Sequence, residues 1–518
     1  RHVVERVARH GKITEKEAAQ LAVGLAQRHA GGTDSRTGHI GYYLLGDGLA
    51  EFERAAGARL PLRASLARLL RRFPLHFYLG GIGGASLGIA SYCWRALAAA
   101  HSPPWLAITM TLLVLVCASQ LAVAVINWLA TVILRPHSLP RLDFEEGIPA
   151  EHCTLVVIPT LLTSPAGIDN LIDALEVRYL ANRDANVYFG LLTDFADAPT
   201  EHLPADQALI RQAREEIETL NQRYRSDRPC IFYLFHRPRL WNEKEQVWMG
   251  YERKRGKLAE LNRVLRGGIP ENFSEIVGDL SILPRVKYVI TLDTDTQLPR
   301  DAARQLAGTM AHPLNRPAYD PARGRVVDGY TILQPRVAVS LPGASRSRFA
   351  KLFAGDPGID PYTRSVSDVY QDLFHEGSFI GKGIYDVDAF EQALSGKFPE
   401  NRILSHDLIE GSYARSGLVT DVQLFEEFPA RYLADTRRRH RWMRGDWQIA
   451  TWLLPRVPGA DARRVANPLS GLSRWKIFDN LRRSLVPVAV LALLVIGWIA
   501  APRHAVQWSL LVTGIIFA

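Results

Sequence analysis

"YVITLDTDTQLP", residues 288–299, runs a short apolar stretch into two aspartates one residue apart and stops at a proline. An uninterrupted apolar run that ends in polar residues is the pattern of a strand buried on both faces of a parallel sheet. Three more runs share it: "TLVVIPTLL" (154–162), "ANVYFGLLTDF" (185–195) and "CIFYLFHR" (230–237). Helical periodicity fills the gaps, with Ile168, Leu171, Ile172, Leu175 and Tyr179 between the first two runs and "KLAELNRVL" before the fourth. Strands alternating with helices predict an α/β doubly wound sheet whose ligand crevice lies beyond the carboxyl ends of the strands. Asp194 and the pair Asp293/Asp295 fall at that edge.

Composition places this sheet in a larger frame. The chain has 518 residues, is 47% hydrophobic and carries a net charge of +9. The arginines cluster beside apolar runs, in "RASLARLLRRF" (63–73), "ILRPHSLPR" (133–141) and "RWKIFDNLRRS" (474–484), which reads as cytoplasmic flanking of membrane spans and not as a nucleic-acid surface. Phe77–Trp94, Trp105–Leu134, Leu485–Ala501 and a truncated stretch from Val506 are the candidate spans, since crossing takes about 20 apolar residues. Gly80, Gly84 and Gly88 predict a small-residue stripe for close helix packing in the first, against a Gly-rich loop as the plain alternative. The expected organisation is an N-terminal cytoplasmic helical segment (1–75), two transmembrane helices (76–134), the α/β domain (135–430), interfacial helices (431–483) and further transmembrane helices (484–518). A start at Arg1 and an end too short to span suggest a piece of a longer protein. Four cysteines without C-x-x-C spacing give no zinc site or disulfide framework.

The aspartates then have to be assigned. An EF-hand is excluded, because Leu298 stands at its glycine position and Arg304 at its bidentate glutamate. An aspartyl phosphotransferase of the D-x-D-x-T type fails at Gln297 but stays open as an alternative, as does an inactive membrane scaffold. A divalent cation, Mg²⁺ or Mn²⁺, holding a nucleotide diphosphate remains, with Asp293 and Asp295 as hard oxygen ligands. A second D-x-D, Asp386/Asp388, reads as a solvated turn.

Further motifs follow in order: "FHEGSFIGKGIYDVDAF" (374–390), "SHDLIEG" (405–411) and "RRRHRWMRGDW" (437–447). With "GHIGYYLLGDG" (38–48) and "RPRLWNEKEQVWMGYERKRGKLAELN" (237–262), this ordered set resembles the synthase module of cyclic β-1,2-glucan synthases, processive inverting glycosyltransferases of the GT-A fold. The resemblance spans nearly the whole chain. It implies UDP-glucose as donor, a glucan acceptor, metal ligation by Asp293 and Asp295, Asp407 as catalytic base, and diphosphate and acceptor binding by Arg438, Arg441 and Trp442. His406 stands where the family has an acidic residue, and Arg438 where it commonly has Gln. Asp194 is expected at the uracil, with a helix N-cap as the alternative. Lys254, Arg255 and Lys257 are candidates for phosphate, and Glu376 for the acceptor floor. Arg438, Arg441 and Trp442 share a helix face, which suits a sugar platform beside a guanidinium fork and equally suits an interfacial helix. A cellulose-like or chitin-like polymer is the rival product. The resemblance also implies further modules of a longer chain and a multi-pass protein of the bacterial inner membrane, with its catalytic domain in the cytoplasm.

Overall fold

A computed structural model describes residues 1–31, 36–58, 72–134, 136–354, 368–403, 405–461, 463–500 and 502–517. The expected arginine cluster at 63–73 falls largely outside them.

Among the described residues, twelve strands organise the central domain: β1 (Thr154–Leu162), β2 (Val187–Phe195), β3 (Phe232–Arg237), β4 (Leu240–Asn242), β5 (Val247–Met249), β6 (Glu275–Val277), β7 (Tyr288–Thr291), β8 (Ala318–Asp320), β9 (Arg325–Asp328), β10 (Ile332–Val339), β11 (Gly383–Asp386) and β12 (Ser416–Glu426). Eight of them form one sheet in the order β12-β10-β11-β7-β1-β2-β3-β6. The four strands expected from sequence are its centre, and β7, β1, β2 and β3 run parallel. Their side chains are buried on both faces, because helices cover each: Ile168, Ile172 and Leu175 of the helix Pro165–Ala181 pack on one face, Leu258 and Leu261 of the helix Arg253–Leu265 on the other. This is a mixed α/β fold with a largely parallel sheet. On the far side, β11 enters antiparallel between β7 and β10, while β10 and β12 run parallel to each other. No periodicity in the sequence announces that half.

The N-terminal segment folds as short helices with their own core of Val7, Ala18, Leu25, Tyr43 and Phe52. Thr14 and Glu17 close a capping box on one of them. Arg36 reaches Asp328, and the His39 ring lies 5.2 Å from His312, so the bundle sits on the α/β domain.

Phe77–Trp94 lies inside one helix, Pro74–Ala99, not in a Gly-rich loop. Its glycine stripe behaves otherwise than expected: a side chain at Gly80, Gly84 or Gly88 would meet nothing within 4 Å. The helix approaches its neighbour Pro104–Ile133 through Gly81, against Ile126. Where four spans were expected, two helices among the described residues are long and apolar enough to cross a membrane, Pro104–Ile133 and Gly471–Ala500. The latter runs unbroken through residue 484, so the end of its charged half is not the start of a new element.

Candidate active site

The D-x-D loop leaves β7 at the carboxyl edge of the sheet, between β1 and β11. Arg178, buried in the helix Pro165–Ala181, donates to the carbonyls of Thr294 at 2.9 Å and Thr296 at 2.7 Å and fixes the loop from beneath. A bridge between Gln297 and Phe425 ties the loop to the end of β12, which carries Glu426 to the aspartates. One oxygen each of Asp293, Asp295 and Glu426 lie within 4.8 Å of one another. Three hard carboxylate oxygens at that spacing fit a Mg²⁺ or Mn²⁺ ion.

Two lysines face the same carboxylates. Lys254 donates to Asp293 Oδ1 at 2.8 Å and to the Gly381 carbonyl at 2.7 Å. Lys382 lies 3.1 Å from Asp293 Oδ2 and pairs with Glu426, which also accepts from the Thr296 hydroxyl at 2.9 Å. Burial alone would raise the Asp293 pKa, but the two ammoniums outweigh it and hold the group at about 2. Asp295 goes the other way: burial, then Glu426 and Asp293 beside it, raise its pKa. Lys382 stands inside the quoted stretch 374–390, but nothing in the sequence gave it a role. Gly383 pairs with Thr291 across the antiparallel β11–β7 ladder, so the residue before it lands beside Asp293.

Asp407 opens the helix Asp407–Ala414 without capping it; His406 holds the cap position and makes no side-chain cap bond. Asp407 Oδ1 is buried without a hydrogen-bond partner among the described residues. His406 Nε2 stands 3.5 Å from Asp407 and 3.8 Å from Glu410. Glu410 is buried, and burial raises its pKa to about 7. The acidic neighbour that the sequence lacks directly before Asp407 thus returns one helical turn later. Gly381 joins the two clusters. Its φ is +87°, its carbonyl holds Lys254, and a side chain on it would come within 2.7 Å of Asp407 Oδ1, so the glycine gives the carboxylate its room.

Asp194 lies inside β2 and caps no helix. Its carboxylate takes a bidentate pair of bonds from Arg237 at 2.9 and 3.0 Å, with Lys257 at 3.2 Å. It sits over Gly250, where any side chain would collide with it. Lys257 is buried, also donates to the Thr160 carbonyl at 2.5 Å, and is pushed down by burial to about 8 against the pull of Asp194. The three basic residues of one helical turn therefore part company: Lys254 turns to Asp293, Lys257 to Asp194, and Arg255 to Glu252 and the Phe398 ring.

Glu376 is buried and paired with Lys476 at 3.0 Å, which anchors it to the helix Gly471–Ala500. It lines a cavity of about 590 Å³ with His137, Arg325 and Arg415, and none of Asp293, Asp295 and Asp407 lines that cavity. Arg438, Arg441 and Trp442 belong to the helix Tyr432–Gln448. The Arg438 guanidinium lies 4.7 Å from the Trp442 ring centre and donates to Asp435 at 2.8 Å. Trp442 is 40% exposed, and Arg441 is exposed without an ion pair among the described residues. At Gly445 this helix presses on Ser405, two residues before Asp407, and Trp447 and Asp446 bind Ser484 and Asn480 of the helix Gly471–Ala500.

No family model matches the chain. Over 516 residues, 98% of its length, it is 41% identical to the cyclic β-(1,2)-glucan synthase NdvB of Rhizobium meliloti (strain 1021), and it spans 18% of that protein.

Proposed function

We propose that this chain, similar along 98% of its length to a segment of a cyclic β-1,2-glucan synthase, is the glucosyltransferase part of such an enzyme, a multi-pass membrane protein that passes glucose from UDP-glucose to a β-1,2-glucan with inversion. One observation carries the reading: Gly381, whose missing side chain leaves room for Asp407, is bonded through Lys254 to Asp293, so a three-carboxylate cluster and a half-buried carboxylate whose Oδ1 accepts no hydrogen bond among the described residues adjoin at the crevice edge of the sheet.

Asp293, Asp295 and Glu426 would hold Mg²⁺ or Mn²⁺, with Arg178 fixing the loop that presents the aspartates. A divalent cation there, when bound, neutralises charge developing on the diphosphate as it leaves the anomeric carbon. Arg438 and Arg441 add positive charge on the neighbouring helix, and the exposed Trp442 face offers an acceptor sugar an apolar platform. Asp407 takes the proton of the attacking hydroxyl, which its unpartnered Oδ1 leaves it ready to do. Attack opposite the leaving diphosphate turns an α-linked donor into a β-linked product. Asp194 and Lys257 shape the donor side of the crevice beside β2, and Glu376, tied to Lys476, couples the domain to the membrane helices near the acceptor path.

Membranes containing the chain, supplied with labelled UDP-glucose, test the reading by linkage analysis of the polymer. β-1,2-linked glucose is expected. A 1,4-linked polymer would replace the proposed product, and a donor labelled in its phosphates that leaves phosphate on Asp293 without glucose transfer would point to the aspartyl phosphotransferase.

A further inference from the structure

The cation reading leaves Lys382 unexplained. Its side chain is 7% exposed, yet its ammonium sits between two of the three carboxylates assigned to the cation. Lys254 takes the other oxygen of Asp293, so each oxygen of that residue faces an ammonium. Asp295 alone of the three makes no ion pair among the described residues. Three carboxylates are thus balanced by two internal cations before any ion arrives.

A divalent cation entering through Asp295 would meet these ammoniums at Asp293 and Glu426. Like charges a few ångströms apart in a partly dry site repel strongly, and a buried ammonium that loses its carboxylate loses its only compensation. A diphosphate brings new acceptor oxygens. Lys254 has a second anchor in the Gly381 carbonyl and can pivot on it, whereas Lys382 depends on Asp293 and Glu426.

We propose that Lys382, assisted by Lys254, is an exchangeable counter-ion of the carboxylate cluster that turns from Asp293 and Glu426 to the nucleotide diphosphate, so that cation and nucleotide load as an interdependent pair. This rests on the cation reading above. Free enzyme holds the cation weakly, the nucleotide strengthens it, and by linkage the cation strengthens the nucleotide by the same factor.

Electron paramagnetic resonance of Mn²⁺ with the purified chain in detergent, with and without UDP, measures both affinities without any turnover. UDP should tighten Mn²⁺ about tenfold or more, within the usual range of such couplings. Lys382→Met should tighten Mn²⁺ in the absence of UDP and so shrink the effect of UDP, leaving the part that comes from direct attraction between cation and diphosphate. Lys254→Met, at a side chain that is 22% exposed, should move the same way by less and serves if the buried substitution disturbs folding. A parent protein whose Mn²⁺ affinity UDP leaves unchanged overturns the cation reading and this proposal together, whereas unchanged or weaker UDP-free binding in both variants overturns the proposal alone. If Mn²⁺ binds neither with nor without UDP, the cation reading falls, and this proposal with it.

Discussion

The chain carries the same three-letter pattern twice, at Asp293/Asp295 and at Asp386/Asp388, on adjacent antiparallel strands. Thr291 pairs with Gly383 and Tyr288 with Asp386, so the first pair lies just beyond the carboxyl end of β7 and the second beside its start. At the first, the loop is pinned by buried Arg178, Glu426 is drawn in, and Lys382, its side chain 7% exposed, lies between carboxylates. At the second, Asp386 caps the helix Val387–Leu394 by accepting from Ala389, and Asp388, 56% exposed, pairs with Arg266 and Lys287 near solvent. One spacing thus produces a concentrated charge cluster and an ordinary helix start. Each pattern stands at the carboxyl end of its own strand, and the edge of the sheet that this end reaches decides between them, because the parallel strands and their loops converge only at one edge.

The sharpest way to break this contrast is at Asp407, on the cluster side. Asp407→Asn keeps shape but cannot take a proton, and glucose transfer should fall by roughly 10²–10⁴-fold with UDP affinity retained. Near-normal transfer would move the base to Glu410. Asp194→Asn acts on stability instead, since it leaves buried Lys257 beside a neutral partner and Arg237 with Glu260 alone. A loss of about 3–5 kcal/mol is expected, visible as a lower thermal midpoint in detergent.

Glu410 gives a pH signature. Its folded pKa, about 7, lies above its unfolded value, so the unfolded chain releases this proton first as pH rises. Stability is therefore full below about pH 4.5 and declines through about pH 7, by on the order of 3 kcal/mol. Glu410→Gln should flatten that decline in melting temperature measured from pH 5 to 7; an unchanged slope would show that another group causes it. On the solvated side, Asp388→Asn should cost less than about 0.5 kcal/mol and leave transfer untouched.

The apolar runs made the central strands legible, because a strand buried on both faces has to be apolar throughout. β10, β11 and β12 were not, since polar residues, and in β10 a proline, interrupt their apolar runs, and pairing orders them. The same holds at the site. Asp293, Asp295 and Asp407 stand in motifs with a legible chemistry, whereas Lys382, though inside the stretch 374–390, and Glu426 reach them only through the β11–β7 register and the Gln297–Phe425 bridge, which leave no local trace. Asp194 was legible as a strand-end residue, but its pairing with Arg237 needed the register of β2 against β3. The glycine stripe at 80, 84 and 88 misled because spacing gives a helix face without saying what lies opposite; Gly81 is the one in contact.

The claim on which all of this turns is that the carboxyl-edge aspartates, and not their counterparts at the other end, bind a cation that holds the nucleotide. Calorimetric titration of UDP into the parent chain, Asp295→Asn and Asp388→Asn, each with and without Mn²⁺, tests it directly. The parent and Asp388→Asn should bind UDP more tightly when Mn²⁺ is present, and Asp295→Asn should lose most of that gain while melting normally. Equal Mn²⁺ dependence in all three would contradict the account.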